Sequence, residues 1–513
     1  MGWDLIVVGA GSSGAPLATR CAQRGKRVLL LEAGSDYRSA EMPEAWRSPN
    51  PGRALLDPAA AAHLVWAGLD ATRTDEQPPA PYWRGKGAGG SSAVNGQIAI
   101  RPPLEDFDDW ALAGWSRDDV LPYFVKLEDD ESYGHLPYHG RGGPTPVYRT
   151  PHHEWGAVDA ALCRSALDAG YPWAENVNAP GATGVSPYPI NSRSGRRVSV
   201  NDAYLEANRD GGGLTVRGDA LVERLVFAGE RAVGVEARID GRAVTEYADE
   251  IVLSAGAIHS PAILLRSGIG PGSELRALGL EVRADLPVGR GLQDHPLALV
   301  EIPLTAEATT TDPDARHTNV CVRYASSPTA SNDMLLTAMN RNVLSMAGAD
   351  TGAGAGAFGV WVNQCHSRGL LRLTSLDPEA QPRVQERMLS DERDLARMRD
   401  GLRALVELAR APATAKITRD SPDSHNSALF AALDDDRALD RYLRSTVADA
   451  QHATSTCRMG GAGDRDAVVD TDCRVLGFDG LRVIDASIFP SVPRANTNLA
   501  AIMAGELMAD RLR

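Results

Sequence analysis

The chain has 513 residues, of which 43% are hydrophobic and 23% are charged, and its formal net charge is -14. The length exceeds one ordinary hydrophobic core and the composition is that of a globular protein, which argues against a small binding module, a disordered chain or a membrane-embedded one. The negative charge repels phosphate backbones and anionic headgroups, so nucleic acids and membrane surfaces are not expected as main partners.

The first elements in chain order predict a β-α-β unit. Apolar residues 5–8 predict a buried strand, residues 15–24 a helix and residues 27–31 a second strand. No export signal is recognised before the first strand, and no apolar run approaches the ~18 residues of a spanning helix. The six cysteines contain no Cys-x-x-Cys pair, which is typical of a reducing compartment. We therefore expect a cytoplasmic protein without a membrane span.

A glycine-rich loop joins the first strand to the helix, with the pattern Gly9-x-Gly11-x-x-Gly14. Such glycines permit a tight turn and a close approach of the main chain to a pyrophosphate, which the helix N-terminus then faces. Glu32, at the end of the second strand, suits a carboxylate that accepts hydrogen bonds from an adenosine ribose. The motif predicts a bound dinucleotide, but it does not distinguish NAD from FAD.

The next predicted elements elaborate this first sheet. A long stretch rich in Pro and Gly leads to a helix predicted at residues 118–131. Two strand-like pairs follow, residues 214–216 with 221–227 and residues 232–239 with 244–253. We expect them to form a small meander next to the β-α-β unit.

The pattern changes from about residue 300 to residue 445, where alternating apolar runs predict a separate antiparallel sheet with helices. The Gly- and Ala-rich residues 351–357 predict a flexible loop. The chain then returns to the first sheet. The predicted elements of this half are strands at residues 319–324, 334–339 and 358–362, a helix at 391–410, a strand at 481–484 and a closing helix from about residue 500.

Two further glycine-rich segments carry a family resemblance. Residues 84–96 are Arg-Gly-Lys-Gly-Ala-Gly-Gly-Ser-Ser-Ala-Val-Asn-Gly, and residues 256–270 are Gly-Ala-Ile-His-Ser-Pro-Ala-Ile-Leu-Leu-Arg-Ser-Gly-Ile-Gly. They resemble the two signatures of the glucose-methanol-choline (GMC) oxidoreductases, a family of FAD-dependent alcohol oxidases and dehydrogenases. The resemblance spans essentially the whole chain, with further matches at residues 197–205, 288–296, 452–460, 484–490 and 493–498.

The resemblance implies an α/β fold in two interleaved domains. A Rossmann-like FAD-binding domain with a flavin-covering loop is expected at residues 1–150, 190–300 and 446–513. A substrate-binding domain, built on an antiparallel sheet with helices, is expected at residues 151–189 and 301–445.

The resemblance also implies FAD as the cofactor. In covalently flavinylated relatives a histidine precedes the residue that matches Asn95, and Val94 occupies that place here. We therefore predict that FAD binds without a covalent bond, and we predict no metal. The predicted cofactor-binding residues are Gly9, Gly11, Ser13, Gly14, Glu32, Ala33, Arg84, Gly89, Gly90, Ser91, Asn95, Gly96, Val222, Asp485, Ala486, Asn496 and Thr497.

The expected catalytic pair is His452 with Asn496. Oxidation of an alcohol removes the hydroxyl proton together with a hydride, and a neutral imidazole suits the proton transfer. The resemblance implies that His452 is the base, that Asn496 binds the developing alkoxide and that flavin N5 takes the hydride. Asn498 is the alternative to Asn496, although counting back from the closing helix favours Asn496. Ser455 replaces the glycine of relatives, and His295 is expected to order a turn near the domain junction.

The substrate is less constrained by the sequence. Predicted contacts are Trp66, Trp361 and Gln451, and no carboxylate-aromatic cage for a quaternary ammonium is recognised, which argues against choline. The segment at residues 493–498 resembles bacterial oxidases of aromatic or furanic primary alcohols, with sugars and other polyols still open. The expected partners are a small alcohol and O2 or another electron acceptor. The sequence does not decide between oxidase and dehydrogenase, and it gives no oligomeric state.

Two alternatives to alcohol oxidation remain. Some relatives on this fold bind FAD and cleave cyanohydrins without redox turnover, so a lyase is the first alternative. A flavin-binding structural protein is the second, and it is disfavoured because both catalytic positions hold competent residues.

Overall fold

The computed structural model describes residues 2–55, 58–341 and 354–512. Within these ranges the strands form five sheets. In chain order the strands are β1 (Trp3–Val8), β2 (Val28–Leu31), β3 (Asp70–Thr72), β4 (Ala80–Pro81), β5 (Glu128–Asp130), β6 (Thr145–Arg149), β7 (Gly184–Pro187), β8 (Pro189–Ile190), β9 (Ser192–Arg193), β10 (Arg196–Arg197), β11 (Leu214–Arg217), β12 (Ala220–Ala228), β13 (Arg231–Ile239), β14 (Arg242–Leu253), β15 (Arg290–Leu292), β16 (Pro296–Pro303), β17 (Val320–Tyr324), β18 (Met334–Met339), β19 (Ala355–Val362), β20 (Gly369–Arg372), β21 (Arg383–Gln385), β22 (Ala448–Asp449) and β23 (Leu481–Val483).

The helices cover the faces of these sheets. In the described ranges, no helix combines the length and the apolar sequence that a bilayer crossing requires. The helices are α1 (Gly14–Gln23), α2 (Glu44–Arg47), α3 (Gly52–Leu55), α4 (Pro58–Leu64), α5 (Glu105–Trp110), α6 (Arg117–Leu127), α7 (Ala157–Asp168), α8 (Gly256–Arg266), α9 (Gly272–Ala277), α10 (Glu392–Ala409), α11 (Pro412–Ala415), α12 (Pro422–His425), α13 (Ser427–Ala432), α14 (Asp436–Thr446) and α15 (Thr497–Arg511). Short helical turns occupy Ser39–Glu41, Gly90–Ala93, His152–Glu154, Asn201–Leu205 and Ala486–Ile488.

The first sheet contains the predicted β-α-β unit, which is confirmed as β1, α1 and β2. Its strands run in the order β11-β2-β1-β14-β13-β12, and β23 also pairs with β14. The strands β11, β2, β1 and β23 and the second half of β14 run parallel to one another. Strand β2 and residues 5–8 of β1 are buried throughout, which accounts for their continuous apolar sequences. Strand β14 serves two partners: residues 242–247 pair antiparallel with β13, and residues 248–253 pair parallel with β1.

Two predictions for this half of the chain need correction. The predicted strand at residues 214–216 exists as β11, but it pairs in parallel with β2 and not with the strand at residues 221–227. Strand β11 thereby pairs with the backbone N–H and C=O groups on the outer edge of β2. Without it, these groups would be buried without hydrogen-bond partners. The predicted helix at residues 118–131 ends at Leu127, because Glu128 is held in a strand by Arg101 Nη2 at 2.9 Å and His139 Nδ1 at 2.8 Å.

The second large sheet is the predicted antiparallel one, with the order β22-β16-β19-β18-β17-β7. The predicted strands at residues 319–324, 334–339 and 358–362 are confirmed as β17, β18 and β19, and the helix at residues 391–410 is confirmed as α10. Helices α7 and α10 pack on this sheet. Strand β16 crosses the boundary that we predicted at residue 300, so the domain boundaries stay a prediction.

The small residues that predicted a flexible loop at 351–357 have a different role. Residues 351–353 lie outside the described residues, but 355–357 form the start of β19 and pair with residues 301–303 of β16. A Cβ on Gly356 would lie 2.6 Å from Val158 Cγ2 in α7. The small side chains are therefore required by close packing of a helix on the sheet.

The closing helix α15 packs against α1 and the glycine-rich loop. It begins at Thr497, three residues before the predicted start, with Asn496 as its N-cap residue. Ser13 Oγ in the loop donates to the carbonyl oxygen of Ala501 at 2.8 Å. The helix approaches so closely that a Cβ on Gly505 would lie 2.4 Å from the Ser13 carbonyl oxygen. Position 505 therefore has no room for a side chain.

Replacing Gly505 with alanine should weaken the packing of α15 on the loop. The helix or the loop would have to shift to relieve the contact, and overpacking of this kind costs about 1–3 kcal/mol. We expect a lower melting temperature for Gly505→Ala, measured by circular dichroism. The control is Gly461→Ala, because a Cβ on the exposed Gly461 meets no atom within 4 Å. Equal melting of the two variants would contradict this packing.

Candidate active site

One cavity brings together almost all of the predicted site residues. Gly14 and Gly89 do not line it, but both shape its wall: a Cβ on Gly14 would lie 2.0 Å from the Gly9 carbonyl oxygen, and the Gly89 amide donates to the Ala10 carbonyl at 3.0 Å. The predicted residues that do line the cavity are Gly9, Gly11, Ser13, Glu32, Ala33, Trp66, Arg84, Gly90, Ser91, Asn95, Gly96, Val222, Trp361, Gln451, His452, Asp485, Ala486, Asn496 and Thr497.

The two glycine-rich loops cross with no side chain between them. A Cβ on Gly90 would lie 2.7 Å from Gly11 Cα, and a Cβ on Gly9 would lie 2.5 Å from the Ser254 carbonyl oxygen. Gly9 and Gly90 both have positive φ, at 104° and 51°. The crossing leaves bare main chain on the cavity wall, which fits a pyrophosphate or a flat ring.

Glu32 joins the two loops. Its Oε2 accepts from the Ala10 amide at 2.9 Å, and its Oε1 accepts from the amides of Gly34 at 3.0 Å and Gly87 at 2.9 Å. Burial raises the pKa of this carboxyl, while the three amide donors lower it. Glu32 thus fixes the spacing of the loops at the end of β2, the place where the sequence predicted a ribose ligand.

His452 and Asn496 meet on the wall of the same cavity. His452 Nε2 lies 3.1 Å from Asn496 Nδ2, and Asn496 Oδ1 has no hydrogen-bond partner within the described ranges. Burial, followed by the neighbouring His295 and Arg84, lowers the pKa of His452 well below its ordinary value. A neutral imidazole and an amide donor therefore face one space.

Asn498 also lines the cavity, but its side chain has other partners. Its Oδ1 accepts from Ser12 Oγ at 2.8 Å, and its Nδ2 donates to Asn191 Oδ1 at 3.2 Å. The geometry thus places Asn496, rather than Asn498, beside His452.

The main chain around His452 contains two residues in the left-handed region. Gln451 has a φ of 64° and Ser455 a φ of 71°. Ser455 thus adopts a conformation that glycine reaches readily, and left-handed backbone at a non-glycine residue is uncommon and stores strain. Its Oγ donates to Thr454 Oγ1 at 3.1 Å.

His295 lies next to the pair, a contact that the sequence analysis did not predict, and its role in ordering a turn stays a prediction. Its Nδ1 lies 2.8 Å from His452 Nδ1, and its Nε2 lies 2.9 Å from the carbonyl oxygen of Asn363. Burial lowers the pKa of His295 to about 4. No local pattern signals this contact, because the two histidines come from segments far apart in the chain.

The predicted substrate residues occupy different parts of the cavity. The Trp361 ring lies 5.6 Å from the His452 ring, whereas Trp66 stacks on His259 of α8 at 4.0 Å. Gln451 Oε1 accepts from Arg84 Nη1 at 2.9 Å. Only Trp361 of these residues has a ring contact with His452, and contact of all three with substrate stays a prediction.

The sequence analysis missed the contribution of the antiparallel sheet to the cavity. The register of β18 and β19 pairs Leu335 with Trp361 and Thr337 with Gly359. In the sequence, only the alternation of side chains along each strand indicates which of them lie on the same face of the sheet. The missed lining residues on this sheet and in the segments next to its strands include Tyr188, Leu297, His317, Thr318, Thr337 and Met339.

A buried acidic cluster, formed by Asp294, Glu386 and Asp449, lies behind His452. One carboxylate oxygen from each residue lies within 4.8 Å of the others. Asp294 Oδ2 accepts from the His452 amide at 2.7 Å and from Tyr82 at 2.7 Å. Both oxygens of Glu386 lack a hydrogen-bond partner in the described part of the chain. Burial and mutual repulsion raise the pKa values of Asp294 and Glu386 above those of ordinary carboxyls.

Comparison with known proteins identifies relatives along nearly the whole chain. Family models described as GMC oxidoreductase match residues 3–297 and 365–505. A 5-(hydroxymethyl)furfural oxidase of a Methylovorus species is 37% identical over 534 residues, covering 99% of this chain and 98% of the relative. An oxygen-dependent choline dehydrogenase of Photobacterium profundum is 32% identical over 553 residues, covering 99% of this chain and 93% of the relative.

A solved structure agrees in fold. The crystal structure of pyridoxine 4-oxidase from Mesorbium loti superposes with a TM-score of 0.88 at 29% identity, and the match covers 99% of both chains. The predicted fold class is confirmed by this similarity and by the family models.

Replacing Glu386 with glutamine should stabilise the protein at alkaline pH. A carboxyl whose pKa is raised in the folded state keeps its proton there, while in the unfolded chain it ionises near its ordinary pKa of about 4.3. The unfolded state is therefore increasingly favoured as the pH rises from about 4 through the raised pKa. Glu386→Gln removes this ionisation, and we expect about 1–3 kcal/mol of added stability at pH ~9, with little change at pH ~5.

Melting temperatures at acid, neutral and alkaline pH measure this effect. Glu281→Gln is the matched control, since Glu281 is exposed and should give no pH-dependent difference from the native protein. A Glu386→Gln variant that melts at or below the native temperature at alkaline pH would show that ionisation of Glu386 does not destabilise the folded protein.

Proposed function

The chain belongs to the GMC oxidoreductase family, and on that premise we propose that it oxidises small aromatic, furanic or other primary alcohols with non-covalently bound FAD. Membership confirms the resemblance that the sequence indicated, and it makes the protein an FAD-dependent enzyme acting on CH-OH groups. The observation that carries the finer proposal is the 3.1 Å contact between His452 Nε2 and Asn496 Nδ2 on the cavity wall.

The residues present fit FAD. We assign the pyrophosphate to the loop from Gly9 to Gly14, the ribose to Glu32 and the ring system to the crossing at Gly90 and to Asn95. When bound, FAD supplies the oxidant that takes a hydride at flavin N5. Val94 has no nucleophilic atom, which supports attachment without a covalent bond at this position.

His452 would accept the hydroxyl proton of the alcohol at Nε2. The pKa of His452 is well below its ordinary value, so the base is neutral and ready at neutral pH. Asn496 Nδ2 would donate to the same oxygen and stabilise the negative charge that develops on it. Trp361, beside His452, would cover the reacting carbon and exclude water.

The cavity favours a small, mostly apolar substrate. The wall beside His452 includes Leu297 and Trp361 from an apolar cluster on the antiparallel sheet. Trp361 Nε1 is buried without a partner in the described structure, so a polar ring substituent could accept from it. The two oxidases reported above are named for 5-(hydroxymethyl)furfural and pyridoxine, which are aromatic ring compounds.

A choline-like substrate is a weaker proposal, although choline dehydrogenases are among the relatives. A quaternary ammonium needs a carboxylate or an aromatic cage. The carboxylates on the described cavity wall are Glu32, Asp449 and Asp485. Each already has a strong donor: main-chain amides for Glu32, Arg73 Nη2 at 2.6 Å for Asp449 and Ser260 Oγ at 2.6 Å for Asp485.

We also propose that the enzyme works in the reducing cytoplasm. All six cysteines lie in the described ranges as free thiols. Burial raises the pKa of Cys321 to about 12, which keeps that thiol protonated and unreactive. Such thiols are compatible with a compartment that does not form disulfides.

Anaerobic mixing with a panel of alcohols tests the reaction and the role of His452 together. We expect benzyl and furfuryl alcohols to bleach the flavin absorbance faster than choline or glucose. His452→Gln should slow this bleaching by about 10²–10⁴-fold, because the proton acceptor is lost, while the flavin stays bound. His425→Gln, a histidine outside the cavity lining, is the control and should reduce at the native rate.

Three outcomes would redirect the proposal. Undiminished bleaching in His452→Gln would refute the base assignment. No bleaching by any alcohol, together with cyanohydrin cleavage, would favour the lyase. Hydrogen peroxide formed in air, compared with the reduction of an artificial dye, decides between oxidase and dehydrogenase.

Acid precipitation of the protein tests the mode of flavin attachment. If FAD is held only by non-covalent contacts, unfolding releases it, and the yellow colour should pass into the supernatant. Colour that stays with the pellet would contradict non-covalent binding. A protein with covalently attached flavin, treated in parallel, confirms that the procedure separates the two cases.

A further inference from the structure

Two buried imidazoles share one short contact behind the cavity. Nδ1 of His295 and Nδ1 of His452 lie 2.8 Å apart, and the rings are almost perpendicular, at 84°. One of the two nitrogens must donate and the other must accept. The direction of this bond decides whether His452 Nε2, which faces the cavity, carries a proton or a lone pair.

The other side of His295 fixes the direction. His295 Nε2 lies 2.9 Å from the carbonyl oxygen of Asn363, and a carbonyl oxygen only accepts. The proton of neutral His295 is therefore on Nε2, which leaves the lone pair of its Nδ1 to accept from His452 Nδ1. His452 consequently carries its proton on Nδ1, and the lone pair of its Nε2 faces the cavity and accepts from Asn496 Nδ2 at 3.1 Å.

We propose that His295 is a positioning residue for His452: it fixes the tautomer whose Nε2 accepts the alcohol proton, and it stabilises the protonated ring that results. The inference rests on the proposed role of His452 as base. In the step, the alcohol O-H bond breaks, its electron pair stays on oxygen and an N-H bond forms at His452 Nε2. The charge on the imidazolium strengthens the bond that His452 Nδ1 donates to His295.

The role is that of the carboxylate in a catalytic triad, with a neutral acceptor in its place. A carboxylate would raise the pKa of the base strongly, whereas a neutral imidazole orients the base and leaves its pKa low. Burial keeps His295 neutral, since its pKa is lowered to about 4. The Trp361 ring lies nearly parallel to that of His295, with centroids 6.4 Å apart.

The neighbouring carboxylate Asp294 does not bind the ring of either histidine in place of the contact between them. Asp294, the nearest carboxylate in sequence, uses Oδ1 for the His295 amide at 2.7 Å and Oδ2 for the His452 amide and Tyr82. It therefore bonds to the main chain of both histidines and not to their rings. The titratable or charged groups around the pair are Tyr82, Arg84, Asp294, Cys365, Glu386 and Asp449.

Nitrogen NMR on the native protein tests the tautomer directly. With 15N-labelled histidine, the ring signals of His452 are assigned by their loss in His452→Gln. We expect a protonated Nδ1 and an unprotonated Nε2 in His452, and the opposite arrangement in His295. This readout needs no substrate turnover. A protonated Nε2 on His452, or a mixture of both tautomers, would overturn the inference.

Two substitutions of His295 test separately the acceptor at its Nδ1 and the donor at its Nε2. Asn at position 295 places an amide oxygen near the site of Nδ1 and keeps an acceptor for His452. Gln places its amide near the site of Nε2, where it can donate to Asn363 but leaves His452 Nδ1 without an acceptor. The pair is matched in polarity and both variants lose the imidazole.

We expect His295→Gln to lower the rate of flavin reduction by about ten- to a hundred-fold, since a bond to a charged group is lost. The pH at which the rate falls by half should move down, because protonated His452 has lost its partner. His295→Asn should stay within about threefold of the native rate, since a neutral acceptor remains. Equal loss in both variants with an unchanged pH profile would reduce His295 to a packing residue, as would native behaviour in His295→Gln.

The outcomes distinguish this inference from the proposed function. If His452→Gln keeps native flavin reduction, the proposed base is wrong whatever the His295 variants do. If His452→Gln is inactive while His295→Gln matches the native rate and pH profile, the base stands and the role of His295 fails. The NMR result supports or overturns the tautomer even when a variant does not fold.

Discussion

The crossing of two glycine-rich loops is the constraint from which the cavity follows. A Cβ on Gly90 would lie only 2.7 Å from Gly11 Cα, so the loops can approach this closely only because Gly90 has no side chain. Glu32 holds the loops at this spacing through three main-chain amides, and α15 packs onto the first loop through Gly505. Because these contacts depend on glycines and on a single carboxylate, they fix this wall of the cavity with little dependence on the packing of apolar side chains.

Four buried titratable groups beside the cavity favour their neutral forms. Burial lowers the pKa values of His295 and His452, and it raises those of Asp294 and Glu386. Each histidine is thus deprotonated and each acid is inclined to keep its proton near neutral pH. The charge that forms at His452 during a reaction is then the main change of charge in the site, and groups already oriented around it can stabilise it without rearrangement.

The sequence identified most of the cavity residues in the glycine-rich loops and in the His452 segment but few of those on the antiparallel sheet, for a physical reason. Glycine positions and the His452 segment have local requirements of backbone shape, so short motifs identify them. The contact between His295 and His452 joins segments 157 residues apart and leaves no local pattern. The same holds for Thr337, whose place on the wall depends on the register between β18 and β19.

His452 lies where the first sheet and the antiparallel sheet meet at the cavity. Its position is fixed by contacts that do not involve β18, one of the strands that line this cavity. Just before His452, β22 pairs with β16 of the antiparallel sheet. Just after it, the Cys457 amide donates to the carbonyl oxygen of Ser487, which follows β23 of the first sheet. The main-chain amide of His452 is bound to Asp294, and its ring to His295. None of these contacts uses the side chains of β18. Substitutions on that strand can therefore reshape the space beside His452 while this histidine keeps its place.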